Sequence, residues 1–168
     1  RSLALEQFGY NVDDEPEKSW TPEKLAVFLS RRLNTDKNSP LYKHIKVAPL
    51  NYENLFDSPV TDDWVVSTAT VVDGITSLIS TNPKRDRILM QQKSLFGGRS
   101  RDMLKEVRDS SPLRQEFIER KDLTLYNVVI SYFKVVESLF WSKAKSNSYI
   151  FKTVGVKALF DVLKFILK

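Results

Sequence analysis

DLTLYNVVISYFKVVESLFWS, residues 122–142, is the stretch on which the fold class turns. Leu125, Val128, Val129, Tyr132, Phe133, Val136, Leu139 and Phe140 recur at helical spacing, and Asp122 can cap the segment. The apolar residues cover more than one side, which is the pattern of a central helix. A chain organised around it is expected to be mainly α: a multi-helix bundle with at most two short strands. Tyr126, Tyr132, Phe133, Phe140 and Trp141 form an aromatic series on this helix, and core packing explains them best.

Downstream, a last helix is expected to begin between Ser148 and Thr153 and to run to the end. Its polar stripe is narrow: Lys157, Asp161, Lys164 and Lys168, with Lys157–Asp161 an i,i+4 pair. Val156, Leu159, Phe160, Val162, Leu163, Phe165 and Ile166 then point into the body or into a partner.

Upstream, proline marks several starts. Thr21-Pro22 opens a helix with Glu23 in its first turn and Leu25, Phe28, Leu29 and Leu33 as its buried stripe; Asn34 can end it. Ser39-Pro40 predicts a single helical turn, and Asn82-Pro83 predicts a basic helix. Ser111-Pro112 opens another, with Leu113, Phe117 and Ile118 facing inward. A short helix is expected over Asp102 to Asp109. Ser67 can cap a helix through Ser80; its β-branched content favours strand, but twelve residues of helical period outweigh that. Gly74 inside it costs about 1 kcal/mol against alanine, so a neighbour is expected to pack closely there. Ile45 with Val47, and Trp64 to Val66, read as two short strands able to pair.

The length fits one domain, or one domain with a flexible arm. Residues 1–20 read as an entry segment and acidic loop, with Leu3, Leu5 and Phe8 able to dock and Asp13, Asp14, Glu15 and Glu17 around Pro16. Residues 21–168 read as a single helical domain, a fragment of a larger protein. Arg1 stands first and no signal-peptide pattern follows, so the numbering is expected to start inside a longer chain, whose upstream residues would hold the chemistry. With no cysteine, disulfides and thiolate metal sites are excluded and a reducing, cytoplasmic location is expected. No apolar run reaches bilayer length, so no membrane partner is expected.

No catalytic centre, metal site or cofactor is legible, and whether the parent protein is an enzyme stays open. The single histidine, His44, has lysines beside it and no neighbouring carboxylate, which points to a structural or surface role. Gly97-Gly98 lacks the Lys-Ser/Thr of a phosphate loop. Asp62-Asp63 reads as a solvated turn before a strand rather than a cation site.

Charge is uneven. Residues 1–66 carry −3 and residues 67–168 carry +8, making up the net +5. The densest cationic run gives the candidate nucleic-acid-binding set: Lys84, Arg85, Arg87, Lys93, Arg99 and Arg101 against the one acid Asp86, with Phe96 among them and Gly97-Gly98 allowing the loop to follow an irregular surface. Such cations neutralise phosphates and release counterions, and an adjacent aromatic can stack on an exposed base. The same run also reads as a solvated loop, or as one that pairs with the acidic first half.

Asn34-Thr35-Asp36-Lys37-Asn38-Ser39-Pro40-Leu41-Tyr42-Lys43-His44-Ile45-Lys46 resembles a segment of DGQHR-domain proteins, a ParB-like group that includes the B component of DNA sulfur-modification systems. Val66-Ser67-Thr68-Ala69-Thr70-Val71-Val72 and Phe151-Lys152-Thr153-Val154-Gly155-Val156-Lys157-Ala158-Leu159-Phe160 are similar to later segments of that family, in the same order. The family's Asp-Gly-Gln-His-Arg motif is absent and lies upstream of the matching segment, so none of its functional residues carries over. The resemblance implies a role in DNA binding, or in regulating a DNA-modification (phosphorothioation) or bacterial defence cluster, with this chain as the helical C-terminal part. Against DNA as partner stands a protein–protein or homo-oligomeric module with no nucleic-acid contact, motivated by the apolar last helix. A nuclease of the small helical toxin type is a third reading, weakened because its Arg-x4–6-His motif is missing.

Overall fold

The computed structural model describes residues 20–46, 64–91, 100–145 and 147–168. Among them are six α-helices and two short strands: α1 Pro22–Thr35, β1 Ile45–Lys46, β2 Val66–Ser67, α2 Thr68–Ile79, α3 Pro83–Gln91, α4 Arg114–Ile118, α5 Asp122–Leu139 and α6 Thr153–Ile166. Short 3-10 turns lie at Arg101–Leu104, Trp141–Lys143 and Tyr149–Phe151. The architecture is mainly helical, as the sequence pattern requires.

Local chemistry sets the starts. Thr21 Oγ1 accepts the Lys24 amide at 3.3 Å with Pro22 in the first helical position. Ser67 Oγ accepts the Thr70 amide at 3.2 Å, and Asn82 Oδ1 accepts the Arg85 amide at 3.0 Å. Asn34 does not end α1, which continues to Thr35. Its side-chain oxygen accepts the Ile45 amide at 2.9 Å and its carbonyl accepts the Lys43 amide at 3.0 Å, so it anchors β1 to the helix end. β1 pairs with β2 in parallel, Ile45 opposite Val66, and both side chains are buried. Val47, expected in the first strand, lies outside the described residues.

The hub is α2, which packs against α1, α4 and α6. Val71, Ile75, Leu78 and Ile79 are buried on it. Gly74 meets the Phe160 ring of α6, and a Cβ there would overlap the ring atoms. The longest described helix, α5, takes a flanking place instead of the expected central one. It buries Leu125, Tyr126, Val129, Ile130, Phe133 and Val136, while Val135, Leu139 and Phe140 are about half exposed. Asp122–Lys143 has the length and mean hydropathy, 1.2, of a membrane-spanning helix, a test that core helices also pass. The expectation that no segment qualifies is corrected by this one helix.

Two further expectations change. Asp102–Asp109 forms no α-helix; one 3-10 turn, Arg101–Leu104, is followed by turns. Ser100 Oγ and Arg120 Nη2 hold the Asp102 carboxylate at 2.6 and 2.5 Å, beside Lys105 at 2.8 Å, and Asp109 turns back to Thr81 just past α2. On α6, Val156, Leu159, Phe160 and Leu163 face the body, but Val162, Phe165 and Ile166 do not.

Gly74→Ala separates two opposing effects. Alanine gains about 1 kcal/mol of helix propensity, and overpacking a close contact costs about 1–3 kcal/mol. Net destabilisation is expected in urea unfolding; a variant more stable than wild type would show that the Phe160 ring yields.

Candidate functional site

Lys84 and Arg87 stand exposed on α3 with no ion pair among the described residues. Arg85 is partly committed: its Nη2 lies 3.3 Å from Asp109 Oδ2 and 3.5 Å from Asp86 Oδ1, with the side chain 37% exposed. Lys93, Phe96 and Arg99 lie outside the described residues.

Arg101 belongs to the interior, which corrects its place in the nucleic-acid-binding set. Its exposure is 0%. Nη1 donates to Asp122 Oδ1 at 2.6 Å and to the Phe117 carbonyl at 3.0 Å, Nη2 donates to Asp122 Oδ2 at 3.2 Å, and Nε donates to the Trp20 carbonyl at 3.3 Å. The guanidinium also lies 4.3 Å from the Phe117 ring centre. A desolvated guanidinium held in this way has no face left for a phosphate.

The acid inside the basic run is also internal. Asp86 is fully buried, with Arg114 Nη1 and Nη2 on its two oxygens at 2.5 and 3.1 Å and Ser80 Oγ at 2.5 Å. Asp109 accepts from the Thr81 amide at 2.9 Å, the Thr81 hydroxyl at 2.7 Å and the Ser111 amide at 2.8 Å. Burial pushes its carboxyl up, but the hydrogen bonds from Ser111 and Thr81 outweigh that and hold it at about 2. Asp102 is likewise held at about 2 by hydrogen bonds from Lys105 and Ser100 and by the Arg120 charge.

Catalytic geometry does not appear among the described residues. His44 Nδ1 meets the Trp64 carbonyl at 2.9 Å, and its ring stacks on the Trp64 ring at 4.2 Å and 3°. No group of three or more His, Asp or Glu gathers among the described residues. Asp62 and Asp63 lie outside them.

A second basic region has no counterpart in the sequence pattern. Trp64 packs on Trp141 at 4.9 Å and on Phe151 at 5.2 Å, so the approach to β2, the turn after α5 and the turn before α6 share one ring cluster. Lys43 and Lys46 flank His44; Lys143 and Lys145 follow Trp141; Lys152 follows Phe151. All five are exposed, and none forms an ion pair among the described residues. Lys152 Nζ lies 4.7 Å from the ring centre of Tyr149, itself 77% exposed. An open cavity of about 350 Å³ adjoins them, lined by Trp64, Val65, Ser148, Phe151, Lys152 and Thr153. No local signal in the sequence joins positions 43–46 to 143–152; only the ring cluster does.

No family model matches the chain, and no curated protein or solved structure matches it.

Arg101→Gln is expected to cost about 3–5 kcal/mol, because it strands the Asp122 carboxylate. Lys84→Gln and Arg87→Gln should stay within about 0.5 kcal/mol. Denaturant unfolding checks both, and a mild Arg101→Gln would return that residue to the surface set. Asp109 gives a pH signature. Its folded value lies below the ordinary 3.8, so its contribution is complete above that pH and disappears as pH falls toward about 2. Asp109→Asn should therefore flatten the acid-side fall in melting temperature; an unchanged slope would remove Asp109 as its source.

Proposed function

We propose that the chain is a helical module of a DNA-associated, cytoplasmic protein linked to DNA modification, its regulation or defence, and that it meets nucleic-acid phosphates mainly through the lysines around the Trp64 cluster. One observation carries the phosphate contact: Lys43, Lys46, Lys143, Lys145 and Lys152 are exposed and unmatched by acids among the described residues, beside exposed aromatic surface. The chain from 134 to 168 holds seven lysines and two acids, which supports a positive potential at this end. Lys84 and Arg87 would be a lesser contact. The link to DNA modification rests on the resemblance to DGQHR-domain proteins in three ordered segments, and the module would support the motif-bearing part of such a protein.

Lysine on phosphate acts as a point charge that releases counterions, so affinity should fall steeply with salt. Exposed Tyr149 offers a face to an unpaired base, although Lys152 already occupies one side. Fluorescence anisotropy with a labelled duplex tests the reading. Replacing the five lysines with glutamine should weaken binding about tenfold or more at low salt. It should also reduce the log–log salt slope by about 0.9 for each phosphate no longer neutralised. Absence of duplex binding at low salt overturns the reading. Binding that survives this variant but disappears in Lys84→Gln/Arg87→Gln moves the phosphate-binding surface to α3.

A further inference from the structure

We propose that the outer side of α6 is a self-pairing surface, on which two copies of this chain join antiparallel about a dyad beside Leu159. Val154, Ala158, Val162 and Phe165 follow one another at four-, four- and three-residue steps, which places them in one stripe along the helix. All are exposed, Val154 to 74% and Phe165 to 80%, with Ile166 beside them. The opposite side of α6, through Val156, Leu159, Phe160 and Leu163, is already buried, so the stripe has no place left within the described fold. Ala158 is small and near the middle, where two helices would approach most closely.

Charge selects the occupant and its direction. Lys157 and Asp161 border the stripe, both exposed, and neither forms an ion pair among the described residues, the expected i,i+4 pair included. In an antiparallel pair centred on residue 159, Lys157 lies level with Asp161 of the second copy, and Asp161 with its Lys157. The same register brings Phe165 beside Val154 of the second copy. A parallel, in-register pair would instead place the two Lys157–Asp161 flanks on opposite edges of the seam, where they cannot pair. A surface whose two ends complement each other under a two-fold axis is what an isologous dimer requires. Val135 and Leu139 lie one and two turns beyond Tyr132 on the same side of α5; the Tyr132 hydroxyl donates to the Leu159 carbonyl at 2.7 Å, so apolar surface continues beyond α6.

Sedimentation equilibrium of the full chain tests this. Wild type should show a reversible monomer–dimer equilibrium. Lys157→Asp and Asp161→Lys should each weaken the dimer about tenfold or more, and the double exchange should restore it. Phe165→Asp should leave only monomer, with helicity unchanged and melting equal to wild type at concentrations where wild type is itself monomeric, because the side chain is exposed in the single chain. A wild type that stays monomeric throughout, a dimer indifferent to Phe165→Asp, or a double exchange no better than either single change each overturns the proposal.

Discussion

Asp86 carries a carboxylate at zero solvent exposure, and three segments converge on it. Ser80 comes from the end of α2, Arg114 from α4, and Asp86 itself from α3. Arg114 Nη1 also reaches the Ile79 carbonyl at 3.3 Å, tying off the last turn of α2. A buried pair of this kind adds little over apolar packing of the same shape, but removing one partner strands a charge at a cost of about 3–5 kcal/mol. Arg101–Asp122 repeats the device where α5 begins, with Trp20 and Phe117 lending carbonyls. Apolar residues alone could slide past one another; a buried Arg114–Asp86 pair and a buried Arg101 on the half-buried Asp122, both with fixed fork geometry, restrict how these segments can be arranged.

Those pairs explain which parts of the fold are legible in the sequence. Thr21-Pro22, Ser67 and Asn82-Pro83 can be read because a cap and its target amide lie within three residues. Gly74 can be read because a glycine in a helix with no turn to make implies a close neighbour, here Phe160. Arg101 misleads because its partners are distant in the chain, Asp122 among them, while Gly97, Gly98 and Arg99 just before it suggest a solvated basic loop. Asp102–Asp109 misleads in part for the same reason: Asp102 also binds Arg120, and Asp109 binds Thr81, both far along the chain. On α5 and α6, periodicity identifies helices apolar on several sides but not which side meets the core, so α2 rather than α5 emerges as the hub.

Charge counting fails in the same way. Ion pairs among the described residues concentrate between Arg85 and Asp122: Arg85 with Asp86 and Asp109, Arg101 with Asp122, Lys105 and Arg120 with Asp102, Arg114 with Asp86, Lys121 with Glu119. Within the cation-dense run, Arg85 and Arg101 are thus occupied by the protein's own acids, while Lys84 and Arg87 have no ion pair among the described residues. Exposed cations without an ion pair among the described residues stand at Lys84 and Arg87, at positions 43–46 and at the lysines after α5, among others. Composition predicts a sign of potential, and the internal ion pairs decide its location.

The two proposed surfaces share one helix, and this constrains how they would work together. Lys152 precedes the first residue of α6, and Phe165 lies near its far end. An antiparallel α6 pair centred on residue 159 would therefore send the two lysine-rich ends in opposite directions, with the two Lys152 positions about 20 Å apart along the paired axes at the helical rise of 1.5 Å per residue. Two weak, phosphate-directed contacts on one rigid body act as a bivalent ligand, and the second engages at an effective concentration set by that fixed spacing. A duplex long enough to reach both ends would gain from dimerisation, and a fragment spanning only one would not. Dependence of affinity on duplex length would then carry information about the α6 interface that salt dependence alone lacks, because salt reports contacts to phosphate without regard to which copy supplies them.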